Sequence, residues 1–275
     1  MKHLLTFIIP TYNREKTIRE AIDSIYKQQL NIPFEVRVFD DCSTDFTGDI
    51  LSSYEKECDS FFVHRCIENK GPAAGRNTCV AHSRGDLIFN LDSDNFLEPN
   101  TVNDLIELLD KTKFEAASFS AAKIFKGMLG SYVSKGSIVY NCGDVCSLRS
   151  FMRTSRIPPS QGNYLYTRES FDLAGGYPEG DEARVLETYR FGFRQLLAGA
   201  RIAILPNSFY WHRWSRDSKW RKNHSLGIND RAMVNEFRKF PNLFTDETNK
   251  LLAGNELVKE KTFFKKINRG HIKLK

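Results

Sequence analysis

Residues 86–95 read Asp86-Leu87-Ile88-Phe89-Asn90-Leu91-Asp92-Ser93-Asp94-Asn95, a short, nearly continuous apolar run that stops abruptly in a polar cluster. A run over Asp86–Leu91 without alternation predicts a strand covered by helices on both faces. Upstream the same pattern recurs. Leu4–Pro10 is a short apolar run, and Phe34–Phe39 and Phe61–Cys66 read as further strands, separated by helical patterns at Ile18, Ala21, Ile22 and Ile25, at Asp45–Glu57 and at Pro72–Ser83. Downstream, a helix is expected over Asn100–Asp110, capped by Asn100 or Thr101. Strand and helix in alternation imply an α/β fold with a doubly wound, mostly parallel sheet.

Past residue 113 the order is looser. Strands are expected at Glu115–Lys123, Asn163–Tyr166 and Arg201–Leu205, with loop or hairpin at Gly127–Ser147. Helices are expected at Arg168–Ala174 and Glu182–Ala198. Asn207–Asn223 is polar, basic and aromatic without periodicity, and helix followed by tail fills the rest.

In open parallel sheets, ligands bind beyond the carboxyl ends of the strands. Each of the first four strands ends in a polar cluster: Thr11-Tyr12-Asn13-Arg14, Asp40–Asp45, Asn69–Asn77 and Asp92–Asn95. Any one of them is ordinary turn chemistry; four in succession on one rim mark a binding edge. Asp92-Ser93-Asp94 sets two carboxylates one residue apart at a strand end, hard oxygen ligands suited to Mg²⁺ or Mn²⁺ carrying a diphosphate. An Asp-rich turn before Pro99 is the bland alternative. The Asn69–Asn77 segment brings glycines, Lys70 and Arg76 to a helix start, an anion cradle. It lacks the Walker and Gly-x-Gly-x-x-Gly spacings, which counts against kinases and dehydrogenases.

The phrases FIIPTYNRE (7–15), VFDDCSTDFTGDIL (38–51), NKGPAAGRN (69–77), FNLDSDNFLEP (89–99), GGYPEG (175–180) and LETYRFGFRQLLAGARI (186–202) stand in an order that resembles the family-2 glycosyltransferases of GT-A fold. The resemblance spans about residues 5–215. It implies a nucleotide-sugar-dependent, inverting enzyme that uses Mn²⁺ or Mg²⁺. Pro10, Thr11, Tyr12 and Arg14 would line the base pocket, and Asp41 would hydrogen-bond the base. Arg76 would sit near base and phosphates. Asp92, with Ser93 beside it, would contact ribose and sugar, and Asp94 would bind the metal. His212, with Arg213 next, would meet the diphosphate or metal. Many members carry Glu-Asp where this chain has Glu187-Thr188, and the Asp is their general base. A threonine hydroxyl cannot take a proton at neutral pH, so Glu187 is the expected base, with Asp181 and Glu182 as alternatives. The bland reading of Glu187 is a helix-start residue favoured by the dipole.

The implied function is transfer of a hexosyl or N-acetylhexosaminyl group, from a UDP-sugar by default, to a glycan or lipid-linked saccharide in polysaccharide biosynthesis. A sugar nucleotidyltransferase and a non-catalytic sugar-nucleotide-binding protein are the alternatives. The expected domain is residues 1–225, a nucleotide-binding half (1–112) and an acceptor-binding half (113–225), followed by a helical extension with a basic tail (226–275).

Charge and cysteine usage fit that picture. The net charge of +6 resides in Lys259–Lys275, which holds seven basic residues and one acidic (7 − 1 = +6). A body near neutrality argues against nucleic-acid binding. The tail interleaves its lysines with Phe263, Phe264, Ile267 and Ile272, a pattern suited to peripheral contact with an anionic membrane; a solvated end is the alternative. Leu4–Pro10 runs on without a cleavage site, so it reads as a strand in a cytoplasmic protein. The six cysteines have no Cys-x-x-Cys spacing and read as reduced thiols, several of them buried.

Overall fold

The apolar runs become β1 (Leu5–Thr11), β2 (Phe34–Asp40), β3 (Phe61–Arg65) and β4 (Leu87–Asn90). The computed structural model describes residues 3–128, 133–139, 145–154, 162–180, 184–215, 222–223, 225–254 and 271–275. Between these strands run α1 (Ile18–Tyr26), α2 (Thr47–Glu57) and α3 (Pro72–Ala81). Helix α1 buries Ile18, Ala21, Ile22 and Ile25, the i, i+3, i+4, i+7 face seen in the sequence. Beyond β4 come β5 (Phe96–Leu97), α4 (Thr101–Thr112), β6 (Ala116–Lys126), β7 (Val133–Val139), β8 (Val145–Cys146) and α5 (Leu148–Thr154). The remainder is β9 (Tyr164–Thr167), α6 (Arg168–Leu173), α7 (Glu187–Leu197), β10 (Ile202–Arg213), α8 (Ile228–Arg238), a 3-10 turn at Pro241–Leu243 and α9 (Asp246–Ala253).

Among the described residues the strands form one sheet in the order β3-β2-β1-β4-β9-β6-β10-β5, with β7 on β6 and β8 on β10. The β3-β2-β1-β4 half is parallel throughout. Strand β9 enters antiparallel between β4 and β6, and β6 and β10 pair parallel again. The result is a mixed α/β fold with a mostly parallel centre. Side chains of β1 alternate between two cores. Leu5, Phe7 and Ile9 meet α1, α2 and α4 on one face, while Ile8 meets α3 and α7 on the other. Residues of α8, α9 and the chain end, including Phe237, Leu252 and Ile272, belong to the second core.

Several boundaries differ from expectation, each for a local reason. Helix α7 starts at Glu187 rather than residue 182, because Leu186 is left-handed at φ 51°. Asn100 stands at the cap of α4 but is left-handed and makes no side-chain cap bond; its Oδ1 accepts from Gln29 N instead. The largest difference is at residues 206–213. Strand β10 does not stop at Leu205 but continues along β6 to Arg213, after a register shift between Leu205 and Phe209. The irregularity at Pro206-Asn207 hides the alternation that would have revealed the strand. No helix among the described residues is long and apolar enough to cross a membrane. The tail over residues 255–270 and Cys142 lie outside the described residues.

Candidate active site

Strand order places β1 beside β4, where the chain's winding reverses; α/β sheets bind ligands in the crevice at such a point. The polar clusters after β1, β2, β3 and β4 meet there and interlock. Asn13, left-handed at φ 51°, donates its N–H to Ser43 Oγ (3.0 Å) and accepts from Thr44 N (2.8 Å). Arg14 N donates to Thr47 Oγ1 (2.7 Å), and Thr17 Oγ1 to the Ser93 carbonyl (3.0 Å). Asp41, buried, accepts Lys70 N on Oδ1 (2.6 Å) and Gly71 N on Oδ2 (2.8 Å), while Asn69 donates to its carbonyl. Its carboxylate thus organises the turn into α3. Pro10 and Thr11 are buried at the end of β1, and Tyr12 is exposed beside them.

Helix α3 approaches the sheet closely. A Cβ on Gly75 would stand 2.8 Å from a Phe39 ring carbon and 3.3 Å from Pro10 Cβ, so only glycine fits. That approach delivers the next residue, Arg76, into the cleft, buried to 3% exposure. Its guanidinium donates from Nε to Asn90 Oδ1 (2.7 Å), from Nη1 to Glu187 Oε1 (2.9 Å) and from Nη2 to Asp92 Oδ1 (2.7 Å). Tyr177 places its ring 5.3 Å from the same group. Burial alone would favour the neutral arginine, but Glu187 and Asp92 outweigh it and hold the cation more firmly protonated than an exposed one. Residues from α3, the β4 loop and the start of α7 are therefore joined through one side chain.

The second carboxylate of the triplet is placed differently. Asp94 keeps its side chain 36% exposed and faces Arg14 Nη2 at 3.7 Å. Ser93 between the two is buried. Asp92 is braced further: its N–H donates to Asn163 Oδ1 (2.7 Å), and Asn90 Nδ2 donates to the Gly162 carbonyl (2.6 Å). A Cβ on Gly162, at φ 86°, would stand 3.2 Å from Asp92 Oδ2. Three buried polar atoms here, Thr11 Oγ1, Arg14 Nε and Asn163 Nδ2, have no partner among the described residues.

Strand β10 reaches this rim. Arg213 N donates to Asn95 Oδ1 (3.1 Å) and Arg213 Nε to the Asp94 carbonyl (3.0 Å), which clips the strand end to the Asp94-Asn95 turn. The rest of the Arg213 guanidinium bonds Glu20 and the Gly127 carbonyl, and its plane lies over Phe125. Its reach is inward, bracing the Asp94-Asn95 turn. His212 precedes it on the strand, with its ring edge-on to Tyr210. Of the aromatics in this stretch, Trp211 stacks on Phe96 and bonds Glu98, so it is a packing residue. Trp214 lies near Lys126; Trp220 is outside the described residues, as are Asp181 and Glu182.

A family model described as glycosyl transferase family 2 matches residues 6–171, more than half of the chain. The chain belongs to glycosyl transferase family 2. It is 26% identical over 213 residues to the poly(ribitol-phosphate) beta-N-acetylglucosaminyltransferase TarS of Staphylococcus aureus, covering 77% of this chain and 36% of that protein. To a poly(ribitol-phosphate) beta-glucosyltransferase of Bacillus spizizenii it is 31% identical over 133 residues, 48% of this chain and 20% of that protein. The chain thus spans well under half the length of these relatives. Among solved structures, S. aureus TarS 1–349 in complex with UDP-GlcNAc superposes with a TM-score of 0.62 at 21% identity, covering 97% of this chain and 81% of that one. The mannosyltransferase PcManGT of Pyrobaculum calidifontis, in complex with GDP-Man and Mn²⁺, gives 0.61 at 20% identity, covering 87% and 64%. These likenesses establish the GT-A fold for this family-2 chain.

Asn90, Gly162, Asn163 and Tyr177 went unnoticed in the sequence although they shape the site. Asn90 did leave a signal: an amide inside an otherwise apolar buried strand needs a partner, and Arg76 is that partner.

Proposed function

We propose that this family-2 protein transfers a sugar from a nucleotide-sugar, UDP-linked, to a hydroxyl of a glycan or lipid-linked saccharide, with inversion. The observation that carries the reading is the convergence of Glu187, Arg76 and Asp92, 111 and 16 residues apart in sequence, on one buried guanidinium. Burying such a cluster without function is expensive, because each ion loses its hydration. The relatives that act on poly(ribitol-phosphate), and the UDP-GlcNAc held by TarS, support the donor class and a glycan acceptor.

In this reading Thr11 and Tyr12 flank the base and Asp41 accepts from it. Asp92 orients ribose and sugar, held in place by Arg76 and by Asn163. Glu187 accepts the proton of the acceptor hydroxyl. Asp94 fits a divalent ion: its oxygens are hard, partly exposed, and among the described residues met by the distal Arg14 Nη2 at 3.7 Å. Mn²⁺ or Mg²⁺ would be held by Asp94, with His212 from the strand end clipped to the same turn, and would offset charge on the departing diphosphate. Among the described residues no group of three or more His, Cys, Asp or Glu forms a complete metal cage, so the diphosphate itself would fill much of the shell.

Incubation with UDP-, GDP- and dTDP-sugars, each with Mn²⁺ and with EDTA, tests the reading. Release of one nucleotide, suppressed by EDTA, is the expected result, and Asp94→Ala should abolish it. Turnover indifferent to both EDTA and Asp94→Ala would remove the metal assignment. A sugar-nucleotide-binding protein without turnover is the second reading, favoured by the buried Thr188 beside Glu187; any turnover eliminates it.

A further inference from the structure

Two cysteines stand at the rim where the base pocket is built. Cys42 follows β2 and Cys66 follows β3, strands paired in parallel with Asp40 opposite Arg65, so the two cysteines are one step out of register. Neighbouring strands lie about 4.8 Å apart with a rise of about 3.3 Å per residue. Two regular strands continued to these positions would hold the residues within the Cα separation of about 4.4–6.8 Å that a disulfide needs. Pairing continues past the strand ends, since Cys66 N donates to the Asp40 carbonyl (3.2 Å). The thiols reach adjacent carbonyls of one loop: Cys42 Sγ lies 3.5 Å from Ile67 O, and Cys66 Sγ 2.9 Å from Glu68 O. Both are partly exposed, whereas Cys79 and Cys146 are buried.

The backbone at Cys42 adds a second, independent observation. Its φ of 68° is left-handed, a conformation that a cysteine adopts only at a cost. In a continuing strand, residues 41 and 42 would face opposite ways; the left-handed turn breaks that alternation. Meanwhile Cys66 Sγ lies 3.5 Å from Asp41 Oδ1, the oxygen that accepts Lys70 N. The Cys66 thiol therefore touches the carboxylate that organises the turn into α3, while the Cys42 thiol bonds the loop beside it.

We propose that Cys42 and Cys66 form a redox pair whose disulfide pulls the loop away from Asp41 and closes the nucleotide-base pocket. This rests on the pocket reading given above. The chemistry is thiol–disulfide exchange with a low-molecular-weight disulfide such as oxidised glutathione. The Cys42 thiolate attacks one of its sulfurs and releases a glutathione thiolate; the Cys66 thiolate then attacks the Cys42 sulfur and releases the second. The two cysteine protons end on the two glutathione thiolates, and two electrons pass from the pair to the oxidant. Burial pushes the Cys66 thiol up, and the Asp41 carboxylate adds to it, which makes Cys66 the second to react.

The test is to treat the full chain with oxidised glutathione, map its peptides without reduction by mass spectrometry, and measure UDP affinity by calorimetry before oxidation, after it and after re-reduction. A 42–66 cross-link is expected, with UDP affinity falling about tenfold or more, the scale of losing a hydrogen bond to a charged group, and returning on reduction. Cys42→Ser and Cys66→Ser should each abolish the response to oxidation. Absence of the cross-link after prolonged oxidation, or a complete cross-link with unchanged affinity, overturns the proposal. Reduced protein that binds no nucleotide at all instead overturns the pocket reading, and the consequence for binding with it, while the peptide map still decides whether the pair closes.

Discussion

A guanidinium enclosed by one amide and two carboxylates cannot be shortened without leaving those groups facing one another. Arg76→Met should therefore cost roughly 3–5 kcal/mol of folding stability, the scale of breaking a buried ion pair, measured by denaturant unfolding of both proteins. A loss under about 1 kcal/mol would mean that Glu187 and Asp92 relax apart freely. Glu187→Gln is the more discriminating change. The amide keeps the shape and a hydrogen-bond acceptor for Arg76 but cannot take a proton. Donor affinity should stay within a few-fold, while transfer falls by about 10²–10⁴, the scale of general-base catalysis. If transfer survives, the base lies elsewhere, with Asp181 and Glu182 next in order. At this scale the sequence revealed identity but not orientation. Arg76, Asp92, Asp94 and Glu187 were all legible from motif spacing. That Arg76 joins Asp92 to Glu187 depends on the close approach at Gly75, a packing fact with no sequence signature of its own. Arg213 shows the converse: a basic residue beside a motif looked like a ligand for phosphate, yet its partners are Glu20 and backbone carbonyls.

Helix α7 carries Glu187 at its first turn, and its second turn is anchored by a different cluster. Arg190 and Arg194 both bond Glu236 of α8, at 2.8 and 2.6 Å, and Lys239 joins at 3.0 Å. Burial would raise the Glu236 carboxyl, but the two arginines win and bring it down to about 2. A carboxyl lowered on folding stabilises the protein above its unfolded value of about 4.3, and that contribution fades as pH falls toward 2. Glu236→Gln should accordingly destabilise by roughly 3–5 kcal/mol at pH 7, with a gap to wild type that narrows below pH 4. A gap independent of pH would show that packing, not charge, is what the glutamate supplies. Elements were legible where a strand is mostly apolar, as in β1 and β4, or alternates, as in β2 with its Glu35 and Arg37. They were obscured where two residues make a strand, as in β5, or where a bulge resets the register, as in β10. Strand β5 lacks the length over which periodicity shows, and the shift splits the twelve residues of β10 into two stretches out of phase.

For the molecule as a whole, the charge of the chain and its attachment are separate matters. The excess of +6 lies in the last seventeen residues, so attraction to an anionic surface would come from one end of a neutral body. The described part of that end amends the expected amphipathic tail. Ile272 is buried in the second core, Leu274 bridges to Phe244, and Lys275 N donates to the Leu243 carbonyl. Ile272 is thus a docking residue and not one offered to a lipid phase; Phe263, Phe264 and Ile267, outside the described residues, carry the apolar half of that expectation. Deleting the tail would also remove this docking and confuse folding with binding. Reversing Lys259, Lys261, Lys265, Lys266 and Arg269 to glutamate leaves the docked residues intact. Each basic residue near an anionic surface contributes about 1 kcal/mol at modest salt. The unaltered chain should therefore pellet with phosphatidylserine-containing vesicles, far less with neutral ones, and lose that binding as salt shortens the Debye length. The reversed chain should remain in the supernatant with an unchanged melting temperature. Equal pelleting with neutral vesicles, or binding by the reversed chain, would show that the tail's charge does not attach the protein to membranes, and a soluble acceptor would then be the one to seek.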